Sequence, residues 1–254
     1  MVSHNQAKLL NALQVKKYRQ KYRKFTVEGE KMVAELLNQQ RIPVDTIFGT
    51  ERWAEENMAP LKPFLNKFNP VTEAELKKIS ALQTPNKVLA LANFPDNTPD
   101  PTLPSRDWCL YLDGLQDPGN LGAILRVADW FGLPAVFCSP DTTDFFGPKA
   151  VQAGMGAALR VPCLEIPLTE LLALQTPGTA ICGALLDGEN IYRDKKIPAA
   201  GLLIIGNEGR GIGPETEQAL TRRWNIPRPA GGQAESLNAA VACGILVAAL
   251  RNLS

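Results

Sequence analysis

Leu202-Leu203-Ile204-Ile205-Gly206-Asn207-Glu208-Gly209-Arg210-Gly211 is an apolar run that stops abruptly at a glycine and an acid. Such a run reads as a buried parallel strand feeding a loop at its carboxyl end, the place where open α/β sheets hold ligands. The stretch Gly206 to Gly213 carries four glycines in eight positions, so its backbone can take positive φ and approach a ligand closely. Downstream, Trp224 to Pro227 reads as a second strand and Arg228 to Glu235 as a second loop. Ser236-Leu237-Asn238 then offers a hydroxyl, an amide and unpaired backbone N–H groups at the start of a wholly apolar helix. Two such loops side by side make a pocket with backbone walls and few charges.

The same alternation extends upstream. Cys109–Leu112, Ala135–Cys138, Val161–Glu165, Ala180–Leu186, Leu202–Gly206 and Asn225–Pro227 read as strands with helices between most of them, which predicts a mostly parallel sheet covered on both faces. The first of these strands is followed by Asp113-Gly114-Leu115-Gln116-Asp117-Pro118-Gly119-Asn120 and not by GxGxxG, which disfavours a dinucleotide site. Asn120 is expected to cap a helix running to about Phe131. Gly122 and Arg126 share a face of that helix, and a glycine inside a helix costs about 1 kcal/mol against alanine, so Gly122 has a packing or functional reason. Taken alone, Arg126 reads as one half of an i,i+3 pair with Asp129.

The N-terminal part differs in charge. The chain of 254 residues nets +1, but residues 1–31 alone net +6. A helix is expected over residues 5–24, with Leu9, Leu10 and Leu13 inward and Tyr18 and Tyr22 on one face among Lys16, Lys17, Arg19, Lys21, Arg23 and Lys24. Basic side chains suit phosphates and tyrosines suit unpaired bases; the alternative is a solvated cationic face whose tyrosines pack on the domain beneath. Phe25 to Gly29 reads as a strand ending in a glycine turn, Glu30 to Gln40 as an amphipathic helix, and Val44 to Phe48 and Val88 to Phe94 as strands. Thr72-Glu73-Ala74-Glu75 is a capping box opening a helix to about Ser80. Four prolines within residues 94–104 mark a stiff linker. The expected domains are 1–93, a linker 94–106, and 107–254.

Apolar content of 45% is enough for ordinary cores. Five cysteines lie at least nineteen residues apart, mostly in apolar runs, and read as core residues in a reducing compartment. With His4 the one histidine and no CxxC, zinc sites and Ser-His or Cys-His catalysis lack their parts, which excludes most hydrolases. No opening segment has a signal-peptide core, and the apolar stretch Ala239 to Leu250 is too short to span a bilayer, so a cytoplasmic protein is expected, with neither metal nor membrane.

Gly206-Asn207-Glu208-Gly209, Ile226-Pro227 and Ser236-Leu237-Asn238, with Asp117-Pro118-Gly119-Asn120-Leu121-Gly122 and Arg126 upstream, resemble the signature motifs of the SpoU (TrmH) class of SPOUT RNA methyltransferases. The match runs over roughly residues 107 to 254. It implies methyl transfer from S-adenosyl-L-methionine to a ribose 2′-hydroxyl of ribosomal or transfer RNA, a C-terminal trefoil knot, a homodimer, and an RNA-binding N-terminal domain similar to a ribosomal RNA-binding protein. It places Gly206, Asn207, Ile226 and Leu237 around the cofactor, and Arg126, Asn120, Glu208, Ser236 and Asn238 around the reacting centre. A guanidinium remains protonated in proteins, so Arg126 is assigned to a phosphate or to the developing alkoxide. Glu208 either holds Arg126 or accepts the proton; its bland role is to bind loop N–H groups. Ile226 and Leu237 read otherwise as core, and Ser236 and Asn238 as helix caps. The loop 228–235 looks about two residues longer than is usual in that family. Two competing classes are a non-catalytic RNA-binding or ribosome-assembly protein on the same fold, and another nucleotide-dependent enzyme on an α/β sheet.

Overall fold

The apolar stripe Leu9, Leu10 and Leu13 has no successor among Lys16, Lys17 and Arg19, and the first helix stops with it. Residues 5–24 are therefore two helices, His4–Ala12 and Lys16–Tyr22, with Val15 extended between them. The computed structural model describes every residue except Gln40, Gln83, Pro85, Asn97 and Ser254. The Gln40 end of one expected helix, the Asn97 position of the expected linker and the Ser254 end of the second expected domain thus lie outside the described residues.

Strands β1 (Lys24–Glu28), β2 (Val44–Gly49), β3 (Phe68–Pro70) and β4 (Val88–Asn93) form a sheet in the order β1-β4-β2-β3, antiparallel except for the β2–β3 pair. The helix Glu30–Asn38 buries Met32, Val33, Leu36 and Leu37, and the capping box of Thr72 and Glu75 is closed in both directions at the helix Glu73–Ile79. Sequence patterning missed β3, which has three residues and too short a run to show a period.

This first unit is built from Met1–Asn97 together with Phe146–Arg160, and the second from Thr98–Phe145 with Val161–Ser254. Phe146, almost fully buried, stacks on Phe25 with ring centroids 4.3 Å apart and lies 4.8 Å from Phe94. Arg160 pairs with Glu35, and the Arg41 guanidinium donates to the carbonyls of Ala158 (2.7 Å) and Leu159 (3.1 Å). A segment from the middle of the chain thus supplies part of the N-terminal unit's core.

In the second unit β5 (Trp108–Asp113), β6 (Val136–Cys138), β7 (Cys163–Glu165), β8 (Ala180–Asn190), β9 (Gly201–Gly206) and β10 (Arg222–Asn225) form an all-parallel sheet ordered β10-β8-β9-β5-β6-β7. Cys109, Tyr111, Leu202 and Ile204 join the core on one face; Leu110 and Leu203 meet Val247 and Leu250 of the final helix, Ala239–Leu253, on the other. The mostly parallel, doubly covered sheet expected from the alternation is the one formed. One strand is shifted: β10 ends at Asn225, because its partner β8 ends at Asn190 and Pro227 has no N–H to give a ladder. Ile226 and Pro227 therefore stand in the loop. Asp194 fastens β10 by accepting from Arg222 Nη1 (2.6 Å), Trp224 Nε1 (3.0 Å) and the Lys196 N–H (2.9 Å). Burial pushes its pKa up, but these donors outweigh burial and hold the carboxyl below the usual range.

Replacing Phe146 by alanine should cost the first unit about 3–5 kcal/mol, the usual penalty for an emptied aromatic site. Hydrogen exchange should show β1 and β4 losing protection while β5 and β9 keep theirs. Equal loss in all four strands, or none, would contradict the placement of this segment.

Candidate active site

The chain leaves β5 toward β6 and β7 and returns through β8 to β9 on its other side, so the sheet's topological switch lies between β5 and β9. Their last paired residues are Asp113 and Gly206, and the two loops beyond them emerge side by side. Hydrogen bonds close the seam. The Gly213 N–H donates to Asp113 Oδ2 (2.8 Å) and Asn207 Nδ2 to the Gly114 carbonyl (2.7 Å). The β9 loop is also closed on itself: Asn207 and Gly211 exchange backbone hydrogen bonds of 2.9 Å, and Asn207 Oδ1 accepts from the N–H groups of Gly209 (2.9 Å) and Arg210 (3.0 Å). A Cβ on Gly206 would overlap the backbone of Gly211 and Ile212, so only glycine fits where the strand enters this turn.

Glu208 spans the seam. Its Oε2 accepts from the Gln116 N–H (3.2 Å), and its Oε1 from the Asp117 N–H (3.0 Å) and Asn120 Nδ2 (3.0 Å). Asn120 Oδ1 in turn accepts from Asn238 Nδ2 (2.8 Å), and Asn238 Oδ1 accepts from the N–H groups of Ala240 (2.9 Å) and Val241 (3.3 Å). One polar chain thus joins the β9 loop, the helix Pro118–Trp130 and the final helix. Partial burial pushes the Glu208 pKa up, while hydrogen bonds from Asn120 and the backbone pull it further down, leaving a carboxyl below its ordinary value of 4.5.

Two expectations are corrected. Asn120 does not cap its helix; Asp117 does, accepting from the Asn120 N–H at 2.7 Å, with Pro118 in the first turn. The Asp-Pro step was the available signal. Glu208 does not hold Arg126: its oxygens accept from two N–H groups of the β5 loop and from Asn120, and no ion pair joins it to the guanidinium. Arg126 is exposed and bonds no described residue, Asp129 included. Gln116, Asp117 and the Gly114 carbonyl are the contributors that sequence reasoning missed; backbone donors leave no signature of residue type.

Asn238 caps the final helix, whereas Ser236 is exposed and bonds no described residue. Ile226 is half-buried and Leu237 is 47% exposed, so neither is simple core. Leu186 is 74% exposed, where β8 departs from its pairing with β10 between Gly183 and Glu189, and Asn225 Nδ2 donates to its carbonyl at 3.0 Å. Apolar side chains left in water on two loops and on the irregular part of β8 fit the faces of a flat aromatic base, with the glycine-loop backbone supplying polar contacts. The donor set is thus compatible with an adenosyl group.

In the first unit, Tyr18 and Tyr22 are exposed and stack on each other with centroids 6.4 Å apart, and Lys21 lies over the Tyr22 ring. Each ring keeps about two fifths of its surface open to solvent. Lys17, Lys21 and Arg23 are exposed beside them, with Arg23 over the Phe94 ring, and Lys16 is half-buried. Arg19 leaves the set: it is buried and donates to the Leu13 carbonyl at 2.6 Å, capping the break between the two helices. Lys24 is paired with Asp45.

Because folding lowers the Glu208 pKa, its contribution to stability is fully present above the unfolded value near 4.5 and is lost as pH falls through the lowered one. Glu208→Gln turns one acceptor toward backbone donors as an NH2. It should lower Tm by a few degrees at pH 7, about the effect of 1 kcal/mol in a domain of this size, and flatten the loss of Tm below pH 4.5. Superimposable Tm–pH curves would refute the bridging role.

The family model described as the SpoU rRNA Methylase family matches residues 107–248, and one described as an MRM3-like substrate binding domain matches residues 4–90. A 23S rRNA (guanosine(2553)-2′-O)-methyltransferase of Bacillus subtilis is 32% identical over 94% of this chain and 93% of its own. Among solved structures, a protein assigned to the TrmH family of RNA methyltransferases from Porphyromonas gingivalis is 36% identical, with full coverage of both chains and a TM-score of 0.84. An AdoMet-bound rRNA methyltransferase from Sinorhizobium meliloti is 26% identical over 99% of this chain and 97% of its own, with a TM-score of 0.82. With its zippered glycine loop at the switch point and a family match over more than half its length, the chain belongs to the SpoU rRNA methylase family.

Proposed function

We propose that this protein methylates a ribose 2′-hydroxyl of ribosomal RNA, using S-adenosyl-L-methionine. The observation that carries the reading is the Glu208–Asn120–Asn238 chain, which locks together the loops that the family's motifs occupy. A relative named as a 23S rRNA 2′-O-methyltransferase and an AdoMet-bound rRNA methyltransferase of the same fold favour the enzyme over the non-catalytic alternative.

The cofactor supplies a methyl group on a sulfonium, an electrophile that needs no metal. The protein's part is placement and charge. Gly206, Asn207 and the turn to Gly211 offer backbone groups to the cofactor, and Ile226, Leu237 and Leu186 offer apolar surface. Glu208 acts as a brace, its oxygens already accepting from three donors, which makes it a poor proton acceptor. Arg126, whose side chain bonds no described residue, binds a phosphate or stabilises the alkoxide forming at the 2′-oxygen, while the hydroxyl proton passes to solvent water at the exposed mouth. Ser236 lies near enough in the chain to Asn238 to orient the ribose. Residues 1–93, completed by Phe146–Arg160, form the RNA-binding part, joined by 94–106 to a catalytic part made of the rest of 107–254, and the Tyr18–Tyr22 stack with Lys17, Lys21 and Arg23 offers unpaired bases a platform.

A trefoil knot and a homodimer belong to the same proposal. The final helix buries Cys243, Leu246, Val247 and Leu250 but leaves Val241 50% exposed and Ala242, Ile245 and Ala248 half-buried; on the helix beside it Trp130 is 84% exposed. An apolar strip of this kind fits a second copy.

Calorimetry of the full-length protein should show S-adenosyl-L-methionine binding; its absence in well-folded protein would sink the enzyme reading. Arg126→Ala should abolish methyl transfer with cofactor affinity kept within a few-fold, and Arg126→Lys should fail as well, because an ammonium does not reproduce a planar fork. Near-normal turnover in the lysine variant would show that only charge matters there. Sedimentation at low micromolar concentration should give a dimer that Trp130→Glu converts to monomer; a wild-type monomer with full activity would overturn the dimer.

A further inference from the structure

Most arginines of the second unit are occupied. Arg106 pairs with Asp100, Arg222 with Asp194, Arg223 with Asp187 and Glu217, and Arg251 with Asp107, while Arg228 donates to the Ala234 carbonyl. Arg126, Arg193 and Arg210 bond no described residue through their side chains. Of these three, Arg210 stands in the β9 loop and Arg126 in the helix that follows the β5 loop.

Arg210 has a fixed base. Its N–H is held by Asn207 Oδ1 at 3.0 Å inside a turn closed by the Asn207–Gly211 bridge, two residues beyond the Glu208 brace. Its guanidinium reaches over Gly114: Nη2 lies 3.6 Å from where a Cβ on that residue would sit. Gly114 has φ +68, a conformation natural to glycine, and the missing side chain leaves the space that the guanidinium overhangs. Asp141 Oδ2 lies 3.0 Å from the same point, yet Asp141 accepts from the Ser139 hydroxyl (2.6 Å) and forms no ion pair with Arg210. Gln116 Nε2 donates to the carbonyls of Gly114 (3.2 Å) and Asp141 (2.6 Å), bracing the floor below. A forked cation displayed from a rigid turn, over a glycine and beside an Asp141 carboxylate that does not pair with it, is free to take an anionic ligand from outside.

We infer that Arg210 is a substrate-positioning residue that binds a phosphodiester of the RNA strand next to the modified ribose. The inference rests on the RNA methyltransferase reading. Arg210 and Arg126 stand on different elements, the β9 loop and the helix Pro118–Trp130, so two guanidiniums contacting successive phosphates would fix the strand's direction as well as its position. The competing account is an exposed Arg210–Asp141 pair that forms only in solution, worth little and without effect on RNA.

The test uses full-length protein and an unmodified large-subunit ribosomal RNA transcript, with methyl transfer and equilibrium RNA binding measured in parallel. Arg210→Ala should raise KM and the RNA Kd about tenfold, leave kcat within twofold and cofactor affinity unchanged, and reduce the salt dependence of log Kd by about one phosphate contact. Arg210→Lys should restore the salt dependence but only part of the affinity. Asp141→Asn should leave KM where it is or lower it. Unchanged KM and Kd in Arg210→Ala, a loss confined to kcat, weakened cofactor binding, or an Asp141→Asn defect matching that of Arg210→Ala would each overturn the inference. If the wild type binds the transcript but methylates none, the activity reading fails, and the Kd and salt slope of the two Arg210 variants still decide the phosphate contact.

Discussion

A single carboxylate ties together the parts of the second unit that its motifs occupy. Glu208 leaves a strand that can end only at glycine and accepts from two N–H groups at the mouth of β5 and from the amide of Asn120. Removing it would leave donors at the start of the Pro118–Trp130 helix without partners, and the Asn120 amide without the hydrogen bond that fixes which way round it lies. Asn238 is set to match from the other side, because its Oδ1 accepts from the N–H groups of Ala240 and Val241 and leaves Nδ2 to donate to Asn120. Position and protonation are thereby coupled, since the same donors that place the carboxylate also keep it ionised.

The sheet around this brace is indifferent to chemistry. Parallel strands with both faces buried present only apolar residues, as Leu202 to Ile205 do, and carry polar groups out at their carboxyl ends. Asp113 and Gly206 are the last pair before the loops, so most groups argued to meet cofactor or ribose lie at or beyond the end of the register that holds the core. Substitutions in the loops can alter binding without reaching the packing beneath.

How far the sequence could be read follows from this division. Strands β5, β6, β8 and β9 were legible because uninterrupted apolar runs of that length have few alternatives, and the Thr72–Glu75 box was legible because its two bonds are local. The motifs led to Glu208, Asn120 and Asn238, but not to what they do to one another: nothing in the composition says that Glu208 would choose the N–H groups of Gln116 and Asp117 over Arg126. The basic stretch misled in a similar way. Arg19 and Lys24 look like their neighbours in sequence, and only the break at Leu13–Val15 and the nearness of Asp45 turn them inward. Long-range backbone partners and the ends of ladders, as at Asn225, are properties of the assembled sheet.

Phe146–Arg160 has a consequence for how the polypeptide is made. The N-terminal unit emerges first during synthesis, yet the ring that fills the space between Phe25 and Phe94 and the arginine that pairs with Glu35 are encoded well after its last strand. At about 5–20 residues per second the nascent unit waits on the order of several seconds with an incomplete core. During that interval it is a client for whatever shields apolar surface at the exit of the tunnel, and its maturation is timed by elongation through β5 and β6 and not by its own sequence.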